Sequence, residues 1–498
     1  MKPDRRVILI ILFSFLTCLC GAQVTLPSLF ADHMVIQRGE PVHAWGMAAP
    51  KESVSVAFRG ETKSTVADEL GRWSLYLSQG EAGGPFTMEI KGTNTIQLSD
   101  VLVGDVWVAS GQSNMEFPMK DLNNPGAEIA AAKYPKIRIF MVKHRPSSFP
   151  RSDAEAKSWA LCTPENAAES SAVAYYFARD LQQRLNVPIG LLESFWGGTP
   201  AESWTSLHTL SSDASLMPVF ASRSKMVDAE EAMGLRMEQE ERDYQKAVEQ
   251  AKADGKPEPG RQWHPDFNAW APAALFNGMI APLTPYPIRG AIWYQGEANS
   301  GERAPLYAHL FQSMITDWRR AWDEGDFPFL FVQIANWTTE PDGRWPEVRD
   351  AQRRALALRN TGMAVTIDIG DAVDIHPKNK LDVGLRLARA ARAISFGEKV
   401  EWSGPLYRSL THEDHALRVW FDHAAGLTAK GGPLVGFEVA GADGKYVTAD
   451  AKIDGTSVIV SSATVLDPVS VRYAWAPNPA CNLYNKEGLP ASPFQAPE

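Results

Sequence analysis

The chain has 498 residues, with 49 Lys and Arg against 59 Asp and Glu, for a formal charge of −10. That length suggests two or three domains at the usual ~100–200 residues each. The acidic balance argues against a nucleic-acid binder, which needs a basic face, and four cysteines are too few for a disulfide scaffold.

At the N-terminus Lys2, Arg5 and Arg6 precede an apolar run over residues 7–20, followed by Gly21, Ala22 and Gln23. A basic start, a short apolar stretch and a small residue at the cut describe a signal peptide over residues 1–22. The run is short for a membrane span, which needs ~20 residues, and no second long apolar run follows. The mature form is therefore expected to have no membrane span and to be exported, to the periplasm or the extracellular space. Cleavage would remove Cys18, Cys20 and three cations against Asp4, taking the charge from −10 to −12. Cys162 and Cys481 remain, and whether they pair is open.

Residues 23–100 read as an N-terminal β domain. "VSVAFRG", "RWSLYLS" and "FTMEIKG" alternate apolar and polar residues between turns, the pattern of a small β-sandwich. From 101 to about 400 the texture changes. "VLVGDVWVAS", "VPIGLLESFWGG", "IRGAIWYQGE", "FPFLFVQIANW" and "MAVTIDIGD" are apolar runs alternating with helical stretches at 172–185, 306–322, 345–358 and 382–394. That alternation indicates an α/β domain with a parallel sheet covered on both faces. Residues 215–253 are charged and rich in Glu, Gln, Met and Ala, and read as a solvated helical hairpin inserted in this domain. The region 401–498 returns to short strands such as "LRVWFDH" and "SVRYAWAP".

Ligands of such sheets bind beyond the carboxyl ends of the strands, and four motifs fall there. Gly111-Gln112-Ser113-Asn114-Met115 follows the first strand and presents Ser113 at a strand-to-helix turn. The mechanics resemble a nucleophile elbow, although Met115 breaks the G-x-S-x-G pattern. Gly197 and Gly198 follow the second, where a glycine lets a backbone N–H approach a ligand. Gln295 ends the third, with a side-chain amide able to donate to an oxyanion or to hold loop backbone. His376, in "DIGDAVDIHPKNK", follows another strand and is a candidate general base. Trp196 and Trp204 flank the glycine pair, as a stacking platform for a sugar ring or as core.

GQSNM after GDVW, then WGGT, QGE and DIHPKNK, resembles the sialate O-acetylesterase family, a branch of the SGNH hydrolases related to carbohydrate esterase family 6. The resemblance spans roughly residues 101–400 and extends to the β flanks. It implies a three-layer α/β/α SGNH fold and an esterase acting on acetylated carbohydrate, foremost O-acetylated sialic acids. Ser113 would be the nucleophile and His376 the base. The oxyanion donors would be the N–H groups of Ser113 and of Gly197 or Gly198, with the Gln295 amide. No metal or organic cofactor is implied, and no H-E-x-x-H or C-x-x-C occurs. The family's usual acid, three residues before the histidine, is Val373 here. Asp374 is the favoured substitute, ahead of Asp371 and of a dyad without a carboxylate. Two other readings stay open: an acetylesterase for xylan, pectin or rhamnogalacturonan, and a non-catalytic carbohydrate-binding protein.

Overall fold

An apolar run without polar alternation, like that at 101–111, must be covered on both faces. The computed structural model describes residues 23–261, 263–338 and 343–497, so the segment read as a signal peptide lies outside the described residues. The strand Thr95–Gly111 is buried without interruption from Val101 onward. It pairs in parallel with Ile189–Phe195 on one side and Gly290–Tyr294 on the other. Tyr134–Met141 extends the sheet beyond the former, and Phe329–Val332 then Thr361–Ala364 beyond the latter, all parallel.

Alternate side chains of the central strand feed two cores. Val106 and Val108 pack with Trp293, Phe331 and the helices Ala304–Trp322 and Trp345–Arg354. Trp107 and Ala109 face Ala172–Leu185 and Lys380–Ile394 on the other side. This is the three-layer α/β/α arrangement expected from the sequence. Local signals set the helix ends: Ser171 accepts the Ala174 N–H, Asn379 accepts the Asp382 N–H, and Asn186 closes its helix in the left-handed conformation.

The first half of the long strand also belongs to an antiparallel ladder with Gly83–Lys91, Ser53–Phe58 and Glu61–Val66. Val42–Met47 and Arg72–Leu77 form a second ladder sharing the same apolar core. At the other end of the chain, Ala416–Asp422 and Ser457–Ser461 oppose Phe437–Ala440 and Ser470–Tyr473. Val419, Phe421 and Val460 meet Val439, Val471 and Phe494 between them.

One expectation needs adjustment, and one open question is answered. The insertion is helical and largely exposed, as Pro218–Asp228 and Glu230–Ala253, but it is not a hairpin. Its helices meet at the single residue Ala229, shorter than the ~2–8-residue connections of antiparallel helix pairs. Cys162 and Cys481 are both free thiols, pushed up to about 12 and about 11 by burial. No helix among the described residues is long and apolar enough to cross a membrane.

Both neighbouring strands end level with Gly111, where Phe195 and Tyr294 are its register partners. A side chain there has no room, since a Cβ would fall 2.1 Å from the Tyr294 carbonyl oxygen, and φ is +139°. The strand order reverses around this strand, which makes its carboxyl end the topological switch point where open α/β sheets bind ligands.

Glu193, one strand over, is fully buried. Its Oε1 accepts the Ser170 hydroxyl and the Ser171 N–H, while Oε2 has no partner among the described residues. Burial pushes its pKa from 4.5 up to about 7. The folded protein thus keeps a proton that the unfolded chain releases, and the group's stabilisation is complete below pH 4.5 and lost as pH rises to about 7. Glu193→Gln should remove that slope, gaining ~3 kcal/mol on wild type across the window. Urea unfolding at both ends of the window measures it, and parallel pH profiles would contradict this account.

Candidate active site

Beyond Gly111 the chain passes through extended Gln112 into a single helical turn, Ser113–Glu116. The N–H groups of Met115 and Glu116 bond back to the Gln112 carbonyl, whereas that of Ser113, at the first helical position, has no partner within the turn. Ser113 Oγ lies 2.8 Å from His376 Nε2. Burial holds His376 below its usual pKa, and the nearby Lys380 and Lys378 charges act in the same direction against Asp374. The ring is therefore neutral at pH 7, and an unprotonated Nε2 can accept the serine proton.

Asp374 Oδ1 accepts the backbone N–H of His376 at 2.8 Å and stands 3.8 Å from Nδ1. It is an electrostatic neighbour of the imidazole, not its hydrogen-bond partner. Burial pushes the Asp374 carboxyl up, but the His376 N–H and Lys378 outweigh it and leave the group below its usual pKa. Asp371 is exposed and accepts the N–H groups of Val373 and Asp374, which shapes the loop.

Under the serine, Asn114 is almost fully buried. Its Nδ2 donates to Glu297 Oε1 at 2.6 Å and to the Ile375 carbonyl at 3.0 Å, and its Oδ1 accepts Lys380 Nζ. Burial lowers Lys380 to about 7 and raises Glu297. Lys380 also lies 5.0 Å from the Phe117 ring centroid and 5.3 Å from that of Tyr294, within cation–π range. One amide thus joins the loops that follow three different strands.

Ser113 and His376 open onto a cavity of about 750 Å³, a size typical of small-ligand sites. Its walls include Trp196, with His144 stacked on it at 4.3 Å and 5°, and Trp263, 61% exposed and resting on Gly198. Trp270 and Glu116 complete the rim beside Gly197.

Known proteins resemble this chain in sequence and in fold. Residues 261–393 match the family described as carbohydrate esterase, sialic acid-specific acetylesterase. The chain is 30% identical to the sialate O-acetylesterase of Mus musculus over 94% of its own length and 93% of that protein. For the human sialate O-acetylesterase the figures are 29%, 94% and 92%. A crystal structure of a carbohydrate acetylesterase from Xanthomonas citri superposes with a TM-score of 0.82 at 36% identity, over 95% of this chain and 99% of that one. The chain belongs to the sialate O-acetylesterase family. It is a carboxylic ester hydrolase.

Ser113, His376, Gly197, Gly198 and Trp196 come together as the sequence led us to expect, but two others do not. Trp204 is fully buried, donates to Thr199 Oγ1 and packs edge-on against Trp293. It sits in a short 3₁₀ turn that faces inward, so it is core and not a sugar platform. Gln295 is also fully buried. Its Nε2 donates to Asn299 Oδ1 and the Thr199 carbonyl, and its Oε1 accepts the Tyr307 hydroxyl. With both amide hydrogens committed, Gln295 clasps its loop and does not face Ser113.

The amide that does line the cavity is Gln112. Its Oε1 accepts the Ala298 N–H at 3.2 Å, and its Nε2 has no partner among the described residues. Its place in GQSN was the available signal. Glu116, His144, Trp263 and Trp270 carried no sequence signal of function. Gln112→Ala should lower kcat by ~10²–10³, the usual effect of losing one oxyanion donor, beside a stability cost from the Gly296 and Ala298 N–H groups that lose their acceptor. Gln295→Ala should cost ~1–3 kcal/mol of stability by leaving buried groups unpaired and leave kcat near wild type. Kinetics and melting curves for the pair decide, and a reversed pattern would restore Gln295 to the oxyanion role.

Proposed function

We propose that this protein removes O-acetyl groups from carbohydrates, with O-acetylated sialic acids as the leading substrate class, through an acetyl-serine intermediate. The observation that carries the reading is the 2.8 Å contact between Ser113 Oγ and His376 Nε2 at the mouth of an aromatic cavity. Ser113 attacks the acetyl carbonyl as His376 takes its proton. The N–H groups of Ser113 and Gly197 and the Gln112 amide hold the oxyanion. His376 returns the proton to the departing sugar hydroxyl, and water activated by the same imidazole releases acetate. This is triad logic with a looser acid partner. Asp374 stabilises the imidazolium from 3.8 Å, and its partial exposure weakens that help. Export fits the N-terminal segment, and N-terminal sequencing of secreted protein should begin at Gln23.

One observation favours a second substrate class. Among the described residues the cavity wall contains no lysine or arginine, only Glu116, Glu297 and two histidines as ionisable groups. A neutral acetylated polysaccharide such as xylan or pectin meets no charge penalty there, while a sialate carboxylate must stay outside the wall. Acetate release from acetylated sialosides and plant glycans separates the two classes, with p-nitrophenyl acetate and added chelator as the metal-free control.

Ser113→Ala should fold normally and lose nearly all turnover on every ester. Wild-type rates in that variant would end the reading. Asp374→Asn should reduce kcat about tenfold to a hundredfold, a barrier change of ~1.4–2.7 kcal/mol, while Asp371→Asn stays near wild type. Equal turnover of Asp374→Asn and wild type would leave His376 working without a carboxylate.

A further inference from the structure

The Gly197 N–H is already occupied. It donates to Glu116 Oε2 at 2.6 Å, and Glu116 Oε1 lies 3.1 Å from His144 Nε2. A Cβ built on Gly197 would fall 3.2 Å from that Oε2 and 3.3 Å from Ser113 Cβ, so carboxylate and nucleophile share one side of the glycine. That is the space an acetyl carbonyl must enter. The carboxylate side chain is 32% exposed and lines the cavity, so it can move aside into open volume.

A carboxylate is the wrong neighbour for a developing oxyanion, because like charges in contact repel and a preorganised donor should be free. It is, however, a close chemical copy of the reaction product. Acetate carries the same group and would seek the same donors: the N–H groups of Gly197 and Ser113. A tethered carboxylate competes for them at high effective concentration without diffusing away.

We propose that Glu116 is a specificity-determining residue that excludes anions from the oxyanion site, and expels acetate by reclaiming the Gly197 N–H after each turnover. The neutral carbonyl of an ester enters with the serine and displaces Glu116 towards His144. The anionic product gains no such help and meets the returning carboxylate. His144, already 3.1 Å from Glu116 Oε1, keeps hold of the displaced carboxylate, and its stacking on Trp196 places it at the cavity wall. This inference rests on the reading of Gly197 as an oxyanion donor.

The test is acetate binding to the full mature chain by calorimetry, in wild type, Glu116→Ala and Glu116→Gln, with acetate inhibition of p-nitrophenyl acetate hydrolysis alongside. Glu116→Ala should bind acetate at least about tenfold more tightly, since removing a like charge at contact is worth that or more. Glu116→Gln, which keeps the volume and an acceptor oxygen but not the charge, should lie between. Unchanged or weaker acetate binding in both variants overturns the proposal, and weaker binding is also what a purely structural hold on the Gly197 turn predicts. If Glu116→Ala fails to fold, tighter binding by Glu116→Gln still supports the proposal and unchanged binding still overturns it. Should wild type prove inactive on every ester while the variants bind acetate more tightly, the esterase reading fails and the anion-excluding role of Glu116 stands.

Discussion

One buried amide holds the arrangement together. Asn114 follows Ser113 directly and reaches Glu297, the Ile375 carbonyl and Lys380 with a single side chain. The serine lies more than 180 residues from the third motif loop and 263 from the histidine, so their relative positions depend on contacts of this kind. A hydrogen-bonded amide suits the task because its donor and acceptor faces are fixed in direction. Around it the sheet contributes rigidity through the level strand ends at Gly111, Phe195 and Tyr294.

The same cluster sets the electrostatics of the base. Burial of the ring is the main reason His376 stays neutral, and Lys380, buried under the site, acts in the same direction to the extent that it is charged. A base that starts neutral can take the serine proton at physiological pH. In the proposed mechanism the imidazolium formed in the transition state needs a counter-charge, and Asp374 would supply it from 3.8 Å instead of through a direct bond. Its own carboxylate is occupied by the His376 backbone N–H, which fixes the loop that carries the ring. Here loop geometry and charge stabilisation draw on one group.

Much of this was legible in the residues because strand-end motifs are local. GQSN and the histidine of IHPK announce their elements, and the alternation of apolar runs with helices gives the layered sheet. What was not legible is the direction in which side chains face after the strand ends. Gln295 and Gln112 are both amides beside turn glycines, and only the packed loop shows that the first folds under Thr199 and the second lines the cavity. Trp204 lies close to the glycine pair in sequence but turns into the core through a short helical turn. Glu116 ends a four-residue turn, where a lone acid reads as a solvated residue, yet it caps an amide 81 positions away.

The division between legible and illegible residues follows a physical line between chemistry and recognition. Groups that meet the reacting atoms are anchored to the sheet and to each other through buried neighbours such as Asn114. His144 and Trp263 instead come from connecting segments, the latter just beyond the inserted helices. Trp263 touches Gly198 while remaining mostly exposed. Few buried contacts depend on such a residue, so replacing it costs little stability but changes the wall that a sugar ring meets. In the proposed function, a fold organised in this way keeps the ester chemistry constant and leaves the choice of bound sugar to residues that the motifs do not contain.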